Sequence, residues 1–256
     1  MKLRHLLVLA LMQTAIFPAS AFAHQPGDDE IVFYPKKLYL SNSFDGTLIT
    51  TAFDNGVLPL NGGIPTTIGT PRITWFLNTG FNLNYDFSST VGIFTGLGIK
   101  NMGFIEKIKP LDSTVKRRVF AAGLPIGIKV GNLKRKTYGF IGGGVDVPLN
   151  YKEKGYIRRG AKDKLNEWFS DRTAAYMPYG FVGVSFAPGV YFKVQYYPNN
   201  FMNPDFVETD ATLGAGIGAK PYSRYDVSML MFSIGLDIRY SNKMKIKHKE
   251  HHETMM

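Results

Sequence analysis

Met229-Leu230-Met231-Phe232-Ser233-Ile234-Gly235-Leu236-Asp237-Ile238-Arg239-Tyr240 alternates without a break. Leu230, Phe232, Ile234, Leu236, Ile238 and Tyr240 share one face, and Met229, Met231, Ser233, Gly235, Asp237 and Arg239 share the other. Side chains of a β-strand point alternately to its two faces, so this pattern predicts an amphipathic strand. A tilted strand crosses a bilayer in roughly 9–11 residues, and this run is long enough. Alternation alone does not say whether the apolar face meets lipid or a protein core.

The ends of the chain and its composition narrow the choice. Lys2 and Arg4 precede an apolar run from Leu6 to Phe17, and Ala21-Phe22-Ala23 follows as a small-x-small site. That order predicts a secretory signal over 1–23, cleaved before His24. There is no Cys, which excludes disulfides, Cys-bound zinc, iron–sulfur clusters, thiol catalysis and an N-terminal lipid anchor on cysteine. After the signal no stretch approaches 18 consecutive apolar residues, so any membrane passage would be made by strands closed into a barrel. The 27 Gly, 14 Tyr and 19 Phe suit strands, turns and interfacial rings. The formal charge is +10, or +8 once Lys2 and Arg4 are removed; it suits anionic headgroups better than nucleic acid, which an exported chain does not normally meet.

Seven further runs read as strands: Lys37 to Phe53 (the least regular), Ile73 to Phe87, Val91 to Ile105, Arg118 to Val130, Tyr138 to Leu149, Tyr179 to Phe186 and Val190 to Tyr197. In the second, Ile73, Trp75, Leu77, Phe81, Leu83, Tyr85 and Phe87, broken by Thr79, lie opposite Arg72, Thr74, Asn78, Gly80, Asn82, Asn84 and Asp86, with Phe76 the exception. The connections Ser88–Thr90, Gly131–Lys136 and Ala187–Gly189 are short, whereas Asp54–Pro71, Lys107–Lys116, Asn150–Pro178 and Pro198–Tyr225 are longer. The expected fold is therefore an eight-stranded antiparallel transmembrane β-barrel with short periplasmic turns and long extracellular loops. Its bounds are an N-terminal periplasmic segment over 24–36, the barrel over 37–240, and a flexible basic and His-containing tail over 241–256.

Eight strands leave an interior just wide enough for side chains. Asp86, Lys129, Lys193, Asp237 and Arg239 fall on the polar faces towards the periplasmic end and are expected to form a charge network that fills the lumen; the alternative is that some are rim positions in water. In the Asn150–Pro178 connection, Lys162 to Ser170 reads as a short helix. Arg158, Arg159, Trp168, Phe169 and Arg172 make this loop the candidate extracellular contact surface, for lipopolysaccharide phosphates or a protein partner. The alternative is a solvated loop packed on itself by Trp168 and Phe169.

Other motifs carry little chemistry. The His residues are His5, His24, His248, His251 and His252, with none between Gln25 and Lys247, so no His general base can sit at a barrel rim, and enzymatic activity is not expected. His24 lacks a second His in the folded body for a copper site. Gly214-Ala-Gly216-Ile-Gly218-Ala-Lys220 is followed by Pro221 and departs from a phosphate loop in spacing. Gly142-Gly143-Gly144 reads as close strand packing or a bend. No cofactor or metal is expected.

The stretch Phe81-Asn-Leu-Asn-Tyr85-Asp-Phe-Ser, then Val91-Gly-Ile-Phe-Thr-Gly-Leu-Gly98, then Gly103-Phe104, resembles the opening hairpin of the Bacteroidota outer-membrane β-barrel (porin-like) proteins. Phe232, Gly235, Ile238 and Tyr240 are similar to the terminal-strand signal read by the barrel-assembly machinery. The chain departs from such barrels by running 16 residues past Tyr240. The resemblance implies location in the outer membrane, contact with its lipid and lipopolysaccharide, and a structural, anchoring or interaction role, with envelope proteins of a secretion or assembly complex as partners. Two other readings stand beside it: a soluble periplasmic or secreted β-barrel that binds a small apolar ligand inside, and a narrow solute channel.

Overall fold

The computed structural model describes residues 37–54, 59–60, 64–108, 113–157, 161–209 and 217–240. The expected signal, N-terminal segment and tail, together with Arg158 and Arg159, lie outside these residues.

Each alternating run forms a strand, and each finds its neighbour in an antiparallel ladder. The strands are β1 (Leu38–Asp54), β2 (Pro59–Leu60), β3 (Ile64–Thr70), β4 (Arg72–Asp86), β5 (Val91–Ile108), β6 (Ser113–Asn132), β7 (Thr137–Ile157), β8 (Ala161–Trp168), β9 (Met177–Phe186), β10 (Val190–Tyr197) and β11 (Val227–Arg239). Eight of them pair in the circular order β1-β4-β5-β6-β7-β9-β10-β11, and β11 returns to β1 from Ser41↔Arg239 to Asp54↔Val227. The ring has no open edge, which removes the unpaired N–H and C=O groups that a flat sheet would expose. The irregularity expected of the first strand is real: β1 shifts register between Thr47 and Ile49 against β11, and between Gly46 and Thr50 against β4.

Face assignment follows the alternation. Ile73, Phe81, Ile126, Ile128, Ile141, Val182, Phe192 and Leu236 all point away from the ring, and Ile126 is 62 % exposed. Lys129, one residue beyond Ile128, is 1 % exposed and points inward. Apolar outside and polar inside is the arrangement of a membrane-spanning barrel, and an apolar belt of this extent would be unusual on a soluble monomer.

Three elements exceed the eight expected strands, and several bounds move, most of all the end of β7, which runs on to Ile157 and makes strand of the first residues of the expected Asn150–Pro178 loop. Strands β5 and β6 run on to Ile108 and from Ser113, so the expected Lys107–Lys116 loop shrinks to residues 109–112, outside the described residues. The apolar outer face stops near Ala122 but the ladder does not, so a reading keyed to apolar alternation ended the strand early. Residues 161–168 are strand β8, not a helix: the long β7 offers an open ladder beyond β9, and β8 fills it from Asn150↔Trp168 to Ile157↔Ala161. Strand β3 extends β5 in the same way.

The inner face is also less uniformly polar than its sequence suggests. Phe94, Phe140, Phe181 and Tyr191 meet inside the ring at centroid distances from 5.9 to 6.3 Å. Their rings occupy slots left by glycines. A Cβ on Gly127 would strike Phe94, one on Gly183 would strike Phe140, and one on Gly235 would strike Tyr191. Near the long-connection end, Met102, Phe104, Val119, Met229 and Met231 pack against Phe201, Met202, Tyr222 and Tyr225 from the β10–β11 connection.

Ile126→Arg is expected to lower unfolding stability by about 2–4 kcal/mol in lipid bilayers, whereas Ser89→Arg in the β4–β5 turn costs about 0–1 kcal/mol. Urea titrations of the refolded variants in vesicles would check this; equal effects at the two sites would contradict a lipid-facing belt.

Candidate functional site

The lumen holds ion pairs stacked in layers along the barrel axis. At the short-turn end, Lys129 Nζ donates to Asp86 Oδ1 at 2.8 Å, to Asn84 Oδ1 at 3.0 Å and to the Tyr39 hydroxyl at 2.8 Å. The Arg239 guanidinium stacks 4.7 Å from the centre of the Tyr39 ring. Lys136, from the β6–β7 turn, donates to the backbone oxygen of Asp237 at 3.0 Å.

In the next layer, Lys193 Nζ donates to Asp45 Oδ2 at 2.6 Å, and the same carboxylate accepts from the Tyr191 hydroxyl at 2.9 Å and from Asn78 Nδ2 at 2.8 Å. Above it, Lys100 Nζ bonds both oxygens of Asp146, at 3.0 and 3.1 Å, and the Tyr197 hydroxyl donates to Asp146 Oδ2 at 2.6 Å. Lys100 also sits 3.7 Å from the centre of the Tyr179 ring. Gly123 makes this pair fit, because a Cβ there would strike Asp146 Oδ1. A cavity of about 100 Å³ lies between these layers, lined by Asp45, Lys100, Lys129, Lys193, Phe94 and Tyr179 among others. It has room for a few waters, each of which needs ~10–15 Å³.

At the long-connection end, Arg117 donates to Glu106 through Nη1 and to Glu153 through Nε at 3.2 Å. The Tyr225 hydroxyl donates to Glu106 Oε2 at 2.9 Å, and Tyr151 donates to Glu153. Beyond this layer, Arg172 grips Glu208 with two bonds, at 2.6 and 2.9 Å, and Glu167 at 3.1 Å. The bidentate pair ties the β8–β9 connection to the β10–β11 connection, and Asn203 N→Arg172 O at 2.9 Å and Ala174 N→Phe201 O at 3.2 Å reinforce it. Burial opposes the positive charge on Arg172, but its bonds with Glu208 outweigh that and hold its pKa above the usual value. Burial likewise raises the Tyr225 phenol, so it stays protonated as a donor.

The five lumen residues expected from the sequence are thus distributed over layers. Lys129 and Asp86 meet; Asp237 and Arg239 lie at the same end; Lys193 belongs to a separate cluster around Asp45. Asp45, Lys100, Glu106, Arg117, Asp146, Glu153 and Glu208 went unrecognised. Lys100 and Asp146 stand on glycine-rich faces, a usable signal, but matching them requires the β5–β6–β7 register. Among the loop candidates, Trp168 is exposed at the end of β8, Phe169 stacks near it at 6.4 Å, and Arg172 is buried against Glu208. Of the terminal-strand residues, Phe232, Ile238 and Tyr240 face outward, and Gly235 faces inward beside Tyr191. Gly218 lies in a turn at φ +86°, its N–H bonded to Glu208 O. No group of three His, Asp or Glu among the described residues is placed to hold a metal ion.

No protein-family model matches the sequence, and no curated protein matches it. Among solved structures, the chain is similar to the outer-membrane protein AlkL, at 13 % identity and TM-score 0.39 over 88 % of this chain and 100 % of that one. It is also similar to Neisserial surface protein A, at 9 % identity and TM-score 0.36 over 80 % and 98 % of the two chains. A third is Ail, the attachment invasion locus protein of Yersinia pestis, at 13 % identity and TM-score 0.30 over 79 % and 97 %. The barrel assignment rests on the strand pairings themselves.

Asp146→Leu alone leaves the buried Lys100 without its carboxylate and is expected to cost about 3–5 kcal/mol, whereas Lys100→Met/Asp146→Leu recovers most of that loss. Denaturant unfolding of the three proteins in detergent micelles measures the difference.

Proposed function

We propose that this chain is a non-enzymatic outer-membrane β-barrel with a structural, anchoring or interaction role in the envelope. The carrying observation is the polarity of the ring: an apolar belt faces outward around it, and Lys100, Lys129 and Lys193 pair with carboxylates inside. In hydrocarbon every backbone polar group needs an internal partner, and a closed ladder supplies it. A soluble barrel with an apolar ligand inside would place Ile126 and Lys129 the other way round.

The same layers argue against transport as the main role. The Lys–Asp pairs cross the lumen, and the residues around Glu106 and Arg117 are covered by the β10–β11 connection. Lacking a His over the whole barrel, the chain also has no general base of the kind most barrel hydrolases use. With the short turns periplasmic, β5 to β8 project outside the cell as an extended sheet, available to lipopolysaccharide or to envelope proteins of a secretion or assembly complex. Phe232, Gly235, Ile238 and Tyr240 would present the closing strand to the barrel-assembly machinery. The likeness of Phe81 to Phe104 to barrel hairpins of the Bacteroidota supports that group as the source.

Cell fractionation and gel migration of heated and unheated detergent extracts test the reading. Recovery with the outer membrane and a heat-modifiable band are expected, together with no steady conductance in planar bilayers. A salt-soluble, heat-indifferent protein would sink it, and a stable single-channel current would overturn the closed-lumen part.

A further inference from the structure

Above the apolar belt the outer face of β6, β7 and β8 changes character. On β6 the outward positions run Leu124, Ala122, Phe120, Arg118, Lys116. On β7, Tyr151 and Glu153 point inward, which leaves Lys152 and Lys154 on the outer side; Asn150 shares that side but is buried, its Nδ2 donating to Glu167 O at 3.3 Å. On β8, Leu165 packs on the core and Glu167 bonds Arg172, which leaves Lys164, Asn166 and Trp168 outside. The ladder sets these in rows. Phe120, Asn150 and Trp168 form the first; Arg118, Lys152 and Asn166 the second; Lys116, Lys154 and Lys164 the third. The Arg118 guanidinium and Lys152 Nζ each lie 5.9 Å from the Phe120 ring centre, which places both cations on its face of the sheet.

Arg118, Lys152, Lys154 and Lys164 therefore occupy two adjacent rows, and among the described residues no carboxylate stands at an outward position between them. Strands lie ~4.8 Å apart and successive outward positions ~7 Å apart, so the patch measures roughly 10 by 7 Å. Arg118 faces Lys152 directly across the ladder, and Lys154 and Lys164 follow in the next row. Like charges so placed repel, and an anion between them relieves the repulsion. The row beneath carries Phe120 and the exposed Trp168, the residue types that mark the headgroup depth of a bilayer.

We propose that this ledge binds the phosphate groups of an outer-leaflet glycolipid, with Arg118, Lys152, Lys154 and Lys164 as the phosphate ligands and Phe120 and Trp168 against the sugar–acyl boundary. The proposal rests on the membrane orientation above. A lipid is favoured over a soluble polyanion because the cations begin one row above the belt, where acyl chains along Leu124 and Ile126 would hold a headgroup phosphate in register.

The test reconstitutes the full chain in phosphatidylcholine nanodiscs containing either bisphosphorylated or dephosphorylated lipid A, and measures by mass spectrometry how much of each stays bound after mild detergent extraction. Retention of the phosphorylated form by about tenfold or more over the dephosphorylated form is expected. R118S/K152S/K154S/K164S should lose that preference and K152S/K154S should lose part of it, while Lys134→Ser/Arg135→Ser, at the other end of the barrel, should keep it. Each variant is first checked for its heat-modifiable band, and the two-residue variant serves if the four-residue one does not fold. Equal retention of both lipids, an unchanged preference in the ledge variants, or displacement of the lipid by millimolar inorganic phosphate or a sulfated oligosaccharide would overturn the proposal. A chain that enters no bilayer overturns the membrane reading as well, whereas one that inserts and does not discriminate overturns the ledge alone.

Discussion

The pairing of β11 with β1 is the constraint from which the other features follow. It joins the last strand of the chain to the first, and converts a sheet with two open edges into a ring with none. Closure with eight strands sets a small radius, so the interior has to be filled by side chains and cannot hold a water column of any width. Every later feature of the lumen is an answer to that shortage of space.

Glycine provides the answer in the middle of the barrel. Gly127, Gly183 and Gly235 leave room for Phe94, Phe140 and Tyr191. Tyr191 in turn holds Asp45, which neutralises Lys193. Gly123 does the same for Asp146, which neutralises Lys100. A buried charge is tolerable only when paired and hydrogen-bonded, so these glycines sustain the electrostatics of the lumen as much as its packing. Substituting one would displace a ring or a carboxylate and leave its partner stranded.

Towards the long connections the filling changes to a plug. Met and aromatic side chains surround the Glu106–Arg117–Glu153 layer, and the Arg172–Glu208 pair joins two connections above it. The strands continue past this point with β8 added, so the ladder outlasts the apolar belt. Its outer face is free to carry charge there, which is why Arg118 and Lys152 follow so closely on Leu124 and Ala122.

The alternation of short and long connections was not legible in the sequence, because β5 and β6 continue past the apolar belt and leave only residues 109–112 between them. The eight ring strands and their inward and outward faces were legible, because a half-buried strand must repeat with period two and side chains cannot change face without a bulge. Inward charges such as Lys129, Asp86 and Lys193 were legible for the same reason. Their partners were not: Asp45 meets Lys193, and Lys100 meets Asp146, only once the register between distant strands is set. Nor could alternation reveal β8, whose residues carry no apolar stripe and become a strand because β7 offers them an open ladder. Local periodicity determines which way each side chain points; cross-strand register, a property of the closed ring, decides what it meets there.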